Sequence, residues 1–482
     1  MAHPACKLTK KQRRRERKQT PADKIEFQYR TQVQECARRN DAKQALEVYE
    51  HMKRKGVKVA PYICNVVINV CSKADDPAVY QSRALEVYQD MRGTSPSIKQ
   101  KKKKADSDEP MYSAIIKLCS KARDFDACKM IVAEMEAAKV EPKLRTFGPL
   151  LQAYSDAGNL NKSMWVYEKL VSYKLELSED DYVALLRVCS LAGHAKHFYA
   201  ILECFIDDIW QPSLSTWDVL TDWFNSEAAR VNGHKWRVTH GTVSTQGVCS
   251  VTGDQLQSIE LSVEVTMELL AKIEKLVRTD EKRIGQWDDF KQWLKEFGPF
   301  DVVIDAANVG YCNQNFDGGG FDYAQINLMV QHYELQKKKV LIVLHERRTS
   351  DEQVPAKHRK QVAQWRKSHT MFNCQHGNND DWYWLYAAVK LGGRTLLVSN
   401  DEMRDHHFQM IHNRAFHRWK ERHQVHYQVH GWRVTVEEPL PYSARPQRVG
   451  NNWHFPSADV SDKDSTDTPR VVDCKWLCVK QD

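Results

Sequence analysis

Apolar positions recur at a constant interval through the first half of the chain. Six equivalent points carry a large apolar residue or a cysteine: Tyr29, Cys64, Tyr112, Phe147, Tyr182 and Trp217. They are 35, 48, 35, 35 and 35 residues apart. Each of the first five points is followed by a polar break, such as Arg39-Asn40-Asp41, and then by a second amphipathic segment, such as Ala45–Met52. Because two short helices cannot bury their apolar faces alone, residues 24–224 are predicted to form an α-solenoid of about five to six helical repeats.

The 48-residue interval contains thirteen extra residues, which the positions of Met52, Met91 and Tyr112 divide between two loops. One of these loops includes the basic run 97–104. Four repeats place a cysteine at the same point, seven residues after the first marker: Cys36, Cys71, Cys119 and Cys189. Free cysteine packs as a small apolar residue, so we interpret these cysteines as core residues and not as metal ligands.

From Phe300 the pattern changes to short apolar strands that alternate with helices. The predicted strands are 302–304, 340–344, 370–372 and 396–398. Helices are predicted over 323–336, 357–368, the residues after Asp381, and 404–419. Buried strands that alternate with helices are typical of a parallel, doubly wound sheet, so residues 300–422 predict an α/β domain.

The segments on either side of this domain have a different character. Residues 240–249 are rich in Gly, Ser, Thr and Val and predict short strands around Cys249, and two helices are expected over 261–277 and on to about Phe297. After residue 422 the alternation typical of strands returns. We group residues 225–299 and 423–482 as one small, β-rich central module that the α/β domain interrupts.

Composition and charge narrow the class of protein. The 482 residues carry a formal charge of +8, which suits a polyanionic partner without requiring one. No apolar leader opens the chain and no run of 18 apolar residues occurs, so we expect a protein without membrane contact, in a reducing compartment. Residues 1–23 are rich in Lys and Arg and are interpreted either as a signal for the nucleus or RNA contact, or as a solvated disordered arm. We expect a nuclear protein, with the mitochondrion as the alternative.

Acidic residues lie where a doubly wound sheet brings elements together. Asp305 ends the first predicted strand, Asp401 follows the last one, Asp380 and Asp381 open a helix, and Asp405 lies one turn beyond Asp401. Ligands of such sheets bind beyond the carboxyl ends of the strands. Carboxylates this close need cations, and oxygen ligands suit Mg²⁺ or Mn²⁺, with two ions able to assist phosphodiester hydrolysis. The alternative is a set of helix caps and surface acids.

Three short sequence motifs resemble those of a known family. Asp305-Ala306-Ala307-Asn308-Val309-Gly310, the run from Asn379 to Tyr386 and the run from Ser399 to His406 resemble the NYN-type (PIN-like) metallonuclease domain of protein-only RNase P. The resemblance implies removal of the 5′ leader from precursor tRNA, without an RNA subunit and by a monomer. It assigns catalysis to Asp305, Asp380, Asp381 and Asp401, with Asp405 and His406 in support; a helix-surface histidine without a role is the alternative for His406. Ala306 stands where the family has Gly.

The repeats resemble pentatricopeptide (PPR) repeats, which bind RNA through base-facing side chains. The resemblance implies reading positions that include Arg30, Asn65, Asp108 and Ser113, of which only Asn65 with Asp108 matches a recognised base-reading pair. We therefore expect recognition of the shape and loops of tRNA at its elbow. Arg347 and Arg348, after another strand, are candidate contacts to substrate phosphates or a plain surface pair.

A zinc site is also implied by the family resemblance. In the family a Cys-x-x-Cys pair, the His of a Trp-His word and the Cys of a Trp-Leu-Cys word bind one zinc. The matching residues here are Cys249, His454 and Cys478, but Thr252 replaces the second cysteine of the pair. A structural zinc requires four ligands, and Cys474 or water is expected to supply the fourth. The alternative is a hydrogen-bonded histidine beside two buried thiols.

Two other functions remain open at this stage. Beside the tRNA 5′-processing endonuclease, the alternatives are a less specific endoribonuclease that its repeats guide to other RNAs and an RNA-binding protein with an inactive nuclease domain. The intact acids argue against the inactive form.

Overall fold

The computed structural model describes residues 21–57, 59–93, 105–230, 234–278, 281–316, 319–375, 379–403, 414–457 and 475–482. The chain divides into two compact units, one ending at Arg237 and including Asp482, and one from Val238 to Gln481. Within the described residues no helix has both the length and the apolar character needed to cross a bilayer.

The first unit is built from helices that pair along the chain. Its described α-helices are α1 (Pro21–Arg39), α2 (Ala42–Arg54), α3 (Pro61–Lys73), α4 (Gln81–Gly93), α5 (Ala105–Lys121), α6 (Phe125–Ala137), α7 (Leu144–Asp156), α8 (Leu160–Ser172), α9 (Glu179–Leu191), α10 (Ala195–Asp208) and α11 (Leu214–Asn225). The six equivalent points of the repeats lie on the odd-numbered helices, and those from Cys64 onward are buried. This is the predicted repeat of two helices, with five pairs followed by a single helix.

The polar breaks between paired helices serve as caps. Asp41, Asp124 and Asn159 accept a hydrogen bond from the backbone N–H three residues on, which satisfies a donor that the helix itself leaves free. The residue before each cap has a left-handed backbone, with a φ of 52° at Asn40 and 67° at Gly158. The turns therefore recur because the same local chemistry recurs.

The cysteines of the repeats lie in the core, as predicted. Cys36, Cys71, Cys119 and Cys189 are all buried, and burial raises the pKa of the Cys71 and Cys189 thiols to about 12. The extra residues of the long repeat include a short 3₁₀ helix, Pro77–Tyr80, and an early start of α5, which begins at Ala105. The basic run 97–104 lies outside the described residues.

The second unit contains two sheets. Its strands are β1 (Trp236–Gly241, which begins just before the unit boundary), β2 (Val302–Asp305), β3 (Val340–His345), β4 (Met371–Cys374), β5 (Leu396–Val398), β6 (Gln424–His430), β7 (Arg433–Glu437), β8 (Gln447–Val449), β9 (Asn452–Pro456) and β10 (Trp476–Gln481). Its α-helices are α12 (Val263–Val277), α13 (Glu281–Phe297), α14 (Ala306–Tyr311), α15 (Tyr323–Glu334), α16 (Arg359–Lys367), α17 (Asp380–Leu391) and α18 (Arg414–His423).

The larger sheet has the order β4-β3-β2-β5-β6-β7. The first five strands are parallel, and β7 is antiparallel to β6. Val303 and Leu397 pack with α12, α13, α17 and α18 on one face, whereas Val302, Ile304 and Val398 pack with α14, α15 and α16 on the other. Helices cover both faces, as the uninterrupted apolar strands predicted.

The sequence division at residues 299 and 422 differs from the packing. Trp287 and Phe290 of α13 lie in the core formed with Val303 and Trp384, so α12 and α13 cover the larger sheet. Strands β6 and β7 extend the same sheet. The smaller sheet has the order β1-β10-β9-β8, and Cys249 and Cys478 share its core. Amphipathic patterns show that a helix has a partner face, but not which sheet supplies it.

Candidate active site

Three of the predicted acids line one pocket at the carboxyl edge of the larger sheet. Asp305 ends β2, Asp401 lies three residues beyond β5, and Asp381 is in the first turn of α17. The pocket has a volume of about 480 Å³ and is lined by Asp305, Ala307, Asn308, Tyr311, Cys312, Asp381, Asn400, Asp401 and Tyr427. Strand order reverses between β2 and β5, which is the point where open α/β sheets bind ligands.

Asp305 is the most buried of these acids, with only 3% of its surface exposed. One carboxylate oxygen accepts a hydrogen bond from the Asn308 backbone N–H at 3.0 Å, and the other accepts one from the Ser399 hydroxyl at 2.8 Å. Burial, followed by the nearby Asp381 carboxylate, raises the pKa of Asp305 to about 8. The carboxyl therefore caps α14 and also forms the floor of an acidic pocket that favours a cation.

Asp380 and Asp381 are positioned by the start of α17. The Asn379 side chain accepts a hydrogen bond from the Asp381 backbone N–H at 3.2 Å. Burial raises the pKa of Asp380, while its own backbone N–H and the charges of His345 and Arg347 oppose that rise. The charge of Asp380 also reaches Asp305, so the four acids Asp305, Asp380, Asp381 and Asp401 belong to one neighbourhood.

A polar network that the sequence analysis did not identify supports the pocket. The Asn308 side-chain oxygen accepts hydrogen bonds from the Asn400 backbone N–H at 2.9 Å and from the Tyr427 hydroxyl at 2.6 Å. The Asn400 side chain in turn bonds to the Tyr427 backbone at both its N–H and its carbonyl. The Asp-x-x-Asn spacing of Asp305 and Asn308 is a usable signal, but nothing in the strand pattern distinguishes Tyr427 from a core residue.

The two arginines after β3 have separate surroundings. Arg347 is exposed and acts on the charge of Asp380. Arg348 lies over the rings of Tyr311 and Phe321, with its guanidinium carbon 5.2 Å from each ring centre, and donates a hydrogen bond to the Tyr311 hydroxyl. Both arginines are therefore close to residues of the acidic neighbourhood.

Several predicted residues lie outside the described part of the chain. These are Asp405, His406 and Cys474. Among the residues that are described, no three His, Cys, Asp or Glu side chains already converge as a group that could hold a metal ion. An ion in the pocket would have to draw its carboxylates together, and the burial of Asp305 and its repulsion by Asp381 and Asp380 fit such a role.

The predicted RNA-contact residues of the repeats differ in exposure. Arg30 is exposed and stacks over Tyr62 at 4.7 Å from the ring centre, and Asn65 is half-buried. Ser113 is buried, and its hydroxyl lies 2.5 Å from Glu109 and 2.8 Å from Thr146, inside the array. The side chain of Asp108 lies outside the described residues. The surroundings of Ser113 give no support to its use as an RNA contact.

Three of the predicted zinc ligands, Cys249, Cys478 and His454, lie in the small β-rich module, where Cys249 is in contact with both of the others. The Cys249 and Cys478 sulfur atoms are 3.4 Å apart and buried. A hydrogen bond from Cys478 lowers the pKa of Cys249 to about 3, and the pKa of Cys478 is raised by the same contact. The His454 Nε2 atom lies 3.0 Å from the Thr252 hydroxyl and 3.4 Å from an Asp254 oxygen, while its Nδ1 atom has no hydrogen-bond partner among the described residues. Asp254 was not predicted from the sequence.

An array of paired helices and an α/β domain with an acidic pocket at its switch point are consistent with a nuclease that carries its own RNA-binding repeats. Two family models cover most of the chain. One is described as the pentacotripeptide-repeat region of PRORP and matches residues 12–231, and one is described as protein-only RNase P and matches residues 243–478.

Individual relatives agree with the family models. Proteinaceous RNase P 1, chloroplastic/mitochondrial, of Arabidopsis thaliana is 30% identical, and the match covers 100% of this chain and 86% of the relative. The mitochondrial ribonuclease P catalytic subunit of Mus musculus is 28% identical over 54% of this chain and 44% of the relative. The crystal structure of nuclear proteinaceous RNase P 2 from A. thaliana matches with a TM-score of 0.77 at 26% identity and covers 96% of this chain and 100% of that one.

The chain belongs to the protein-only RNase P family and is an RNase P-type endoribonuclease, as the sequence words implied. The relatives are described as chloroplastic, mitochondrial or nuclear, so family membership does not fix the compartment.

Proposed function

We propose that this endoribonuclease removes the 5′ leader of precursor tRNA by metal-assisted hydrolysis at the pocket formed by Asp305, Asp381 and Asp401. The observation that supports the proposal most strongly is that these three acids line one pocket, with Asp380 beside it, at the carboxyl edge of a doubly wound sheet. The product expected from this chemistry carries a 5′-phosphate on the mature tRNA.

The acids are proposed to hold two Mg²⁺ or Mn²⁺ ions, because hard cations prefer carboxylate oxygens. Such ions would supply an activated water and stabilise the leaving oxygen. Asp305 must lose its proton to act as a ligand, and the Ser399 hydroxyl and the Asn308 N–H keep its two oxygens in place. Asn379 fixes the start of α17 and thereby the direction of Asp381. Asp405 and His406 are proposed as supporting residues on the family resemblance alone.

The repeat array is proposed to grip the elbow of the tRNA. Arg30 and Asn65 lie at the positions to which the resemblance to PPR repeats assigns base reading, and Asp108 is retained as the partner of Asn65. The exposed Arg30 guanidinium lies over an exposed tyrosine, Tyr62, which is a surface suited to RNA bases and phosphates. Arg347 and Arg348 are proposed to contact substrate phosphates near the acids.

A structural zinc is proposed to join the two parts of the small β-rich module, residues 225–299 and 423–482. The donors would be Cys249, Cys478 and His454, and the Asp254 carboxylate, which lies 3.4 Å from His454, is the candidate for the fourth. Cys474 remains the alternative that the sequence suggested. Metal analysis of EDTA-washed protein tests this proposal without reference to activity. About one zinc per chain is expected, with loss of the zinc in Cys249→Ser; a zinc-free wild-type protein would remove the proposal.

The protein is further proposed to act as a monomer, without an RNA subunit, and in the nucleus. The nuclear proposal depends on the basic residues 1–23, of which residues 1–20 lie outside the described residues. A reporter protein fused to residues 1–23 tests it, because accumulation outside the nucleus would contradict the proposal.

The reaction is tested with purified protein, a 5′-labelled precursor tRNA and Mg²⁺. Wild-type protein should release the leader at the mature 5′ end, while the double variant Asp380→Ala, Asp381→Ala should be at least 100-fold slower with an unchanged fold. Cuts scattered through the RNA would instead indicate a less specific, repeat-guided endoribonuclease. Equal cleavage by the double variant would contradict the assigned site.

A further inference from the structure

An aromatic side chain lies at the mouth of the acidic pocket with much of its surface exposed. Tyr311 is the last residue of α14, lines the pocket together with Asp305 and Asp381, and is 45% exposed. Most large aromatic residues of this unit are buried in its cores. A ring left open beside an RNA-cleaving site is a candidate for contact with a nucleobase.

Neighbouring aromatic side chains hold the Tyr311 ring in place. Phe321 packs against it edge to face, with ring centres 5.2 Å apart. This approach requires glycine at position 310, because a Cβ atom there would lie 2.6 Å from the Phe321 ring. Tyr323 packs against Phe321 in turn, with ring centres 4.9 Å apart. The aromatic group is therefore fixed before any substrate arrives, which lowers the entropic cost of stacking.

Arg348 completes the support and brings a positive charge to it. Its guanidinium lies over both Tyr311 and Phe321 and donates to the Tyr311 hydroxyl, and its backbone carbonyl accepts a hydrogen bond from Tyr323 at 2.6 Å. The cation is therefore anchored at both its side chain and its backbone. A rigid ring with an adjacent arginine is the combination that single-stranded RNA sites use for a base and its phosphate.

We propose that Tyr311 stacks an unpaired nucleobase of the substrate leader next to the scissile phosphate, with Arg348 beside the phosphate of that nucleotide. The leader side is chosen because the first nucleotide of the mature tRNA is paired in the acceptor stem, whereas leader nucleotides are single-stranded and free to stack. The inference rests on the proposed function, since it assigns a base subsite to the same pocket.

The direct test compares side-chain variants on the same precursor tRNA. Tyr311→Ala should lower kcat/KM about 10-fold, because base–aromatic stacking is worth about one to two powers of ten in affinity. Tyr311→Phe keeps the ring and should stay within about 3-fold of wild type. Trp432→Ala is the matched control, since Trp432 is 81% exposed and lies in the β6–β7 turn outside the pocket. Tyr311→Ala with wild-type kcat/KM would overturn the inference.

A change in the substrate separates stacking from a structural effect. Replacing the leader nucleotide next to the cleavage site by an abasic one should slow the wild-type protein about 10-fold and Tyr311→Ala hardly further. Equal slowing of both proteins would place the base contact elsewhere and overturn the inference.

Fluorescence gives a readout that needs no substitution at Tyr311. A 2-aminopurine at the same leader position should be quenched when the RNA binds the inactive Asp380→Ala, Asp381→Ala protein, and unchanged fluorescence on binding would contradict the stacking. Failure of the wild-type protein to cleave precursor tRNA would instead refute the proposed function, so the two failures are distinguishable.

Discussion

The protonation of Asp305 is the residue-scale event on which the pocket depends. Its pKa is raised from 3.8 to about 8, so the folded chain binds this proton more tightly than the unfolded chain does. The stability associated with the protonated form is complete below pH 3.8 and is lost as the pH rises toward 8. We therefore compare wild type with Asp305→Asn, which stays neutral, in EDTA. When the pH rises from about 5 to about 9, the Tm of Asp305→Asn should increase by a few degrees relative to the Tm of wild type.

Magnesium provides the control for this prediction. Added Mg²⁺ at about pH 8 should raise the Tm of the wild-type protein by more than that of Asp305→Asn, because the variant lacks one of the proposed carboxylate ligands. The same Tm difference between wild type and Asp305→Asn at about pH 5 and about pH 9 would contradict the role assigned to Asp305. An equal rise in the Tm of both proteins on addition of Mg²⁺ would also contradict it.

The Tyr427 hydroxyl is the second residue-scale feature with a measurable consequence. It donates to the Asn308 side-chain oxygen at 2.6 Å and so helps to orient that amide at the pocket wall. Tyr427→Phe should lower the single-turnover cleavage rate about 5-fold, the equivalent of one ordinary hydrogen bond of ~1 kcal/mol, with little change in KM. Tyr333→Phe is the matched control, because the Tyr333 hydroxyl is buried in the same core and has no hydrogen-bond partner in the part of the chain that the structure describes. Equal rates for the two variants would contradict the role of Tyr427.

At the scale of elements, α13 is tied to the loop that delivers Asp380 and Asp381. The Gln286 side chain accepts hydrogen bonds from the Gln375 backbone N–H at 2.9 Å and the Tyr383 hydroxyl at 3.3 Å, and donates to the Asn373 carbonyl. Gln286→Ala removes all three bonds. It should lower the free energy of unfolding by about 1–3 kcal/mol and raise several-fold the Mg²⁺ concentration needed for half-maximal activity.

An exposed glutamine of the same helix, Gln292, supplies the control for Gln286. Gln292→Ala should match wild type in both the free energy of unfolding and the Mg²⁺ dependence of cleavage. A Gln286→Ala protein that is less stable but has an unchanged Mg²⁺ dependence would show that the tie is structural and does not position the acids.

The elements themselves were largely predictable, but their partners were not. Apolar runs located β2, β3 and β5 within two residues, and Asp305 and Asp401 followed from the rule that ligands bind at the carboxyl ends of strands. By contrast, α12 and α13 were assigned to the central module because they precede the first strand, whereas their apolar faces cover the larger sheet. The role of Tyr427 was not predictable, because a buried aromatic residue gives a strand the same sequence pattern whether or not its hydroxyl forms a hydrogen bond to a site residue.

At the scale of the whole molecule, a basic chain with RNA-binding repeats should bind its substrate mainly through phosphates. The formal charge of +8 includes 71 Lys and Arg residues. Raising KCl from about 50 to 200 mM should weaken binding of precursor tRNA to the inactive Asp380→Ala, Asp381→Ala protein by at least 10-fold, because counterion release is lost. The single-turnover rate of the wild-type protein at saturating concentration should change less than about 3-fold over the same range. Binding that is insensitive to salt would contradict this account.

The central claim is that the acids at the edge of the larger sheet bind metal ions that contact the scissile phosphate. The most direct test places a single phosphorothioate at the cleavage site, with each sulfur diastereomer measured separately. We expect one diastereomer to be cleaved at least 10-fold more slowly in Mg²⁺ and to recover most of its rate in Mn²⁺, which accepts sulfur ligands more readily. Cleavage at the normal rate for both diastereomers in Mg²⁺, or a slow rate that Mn²⁺ does not relieve, would contradict the claim.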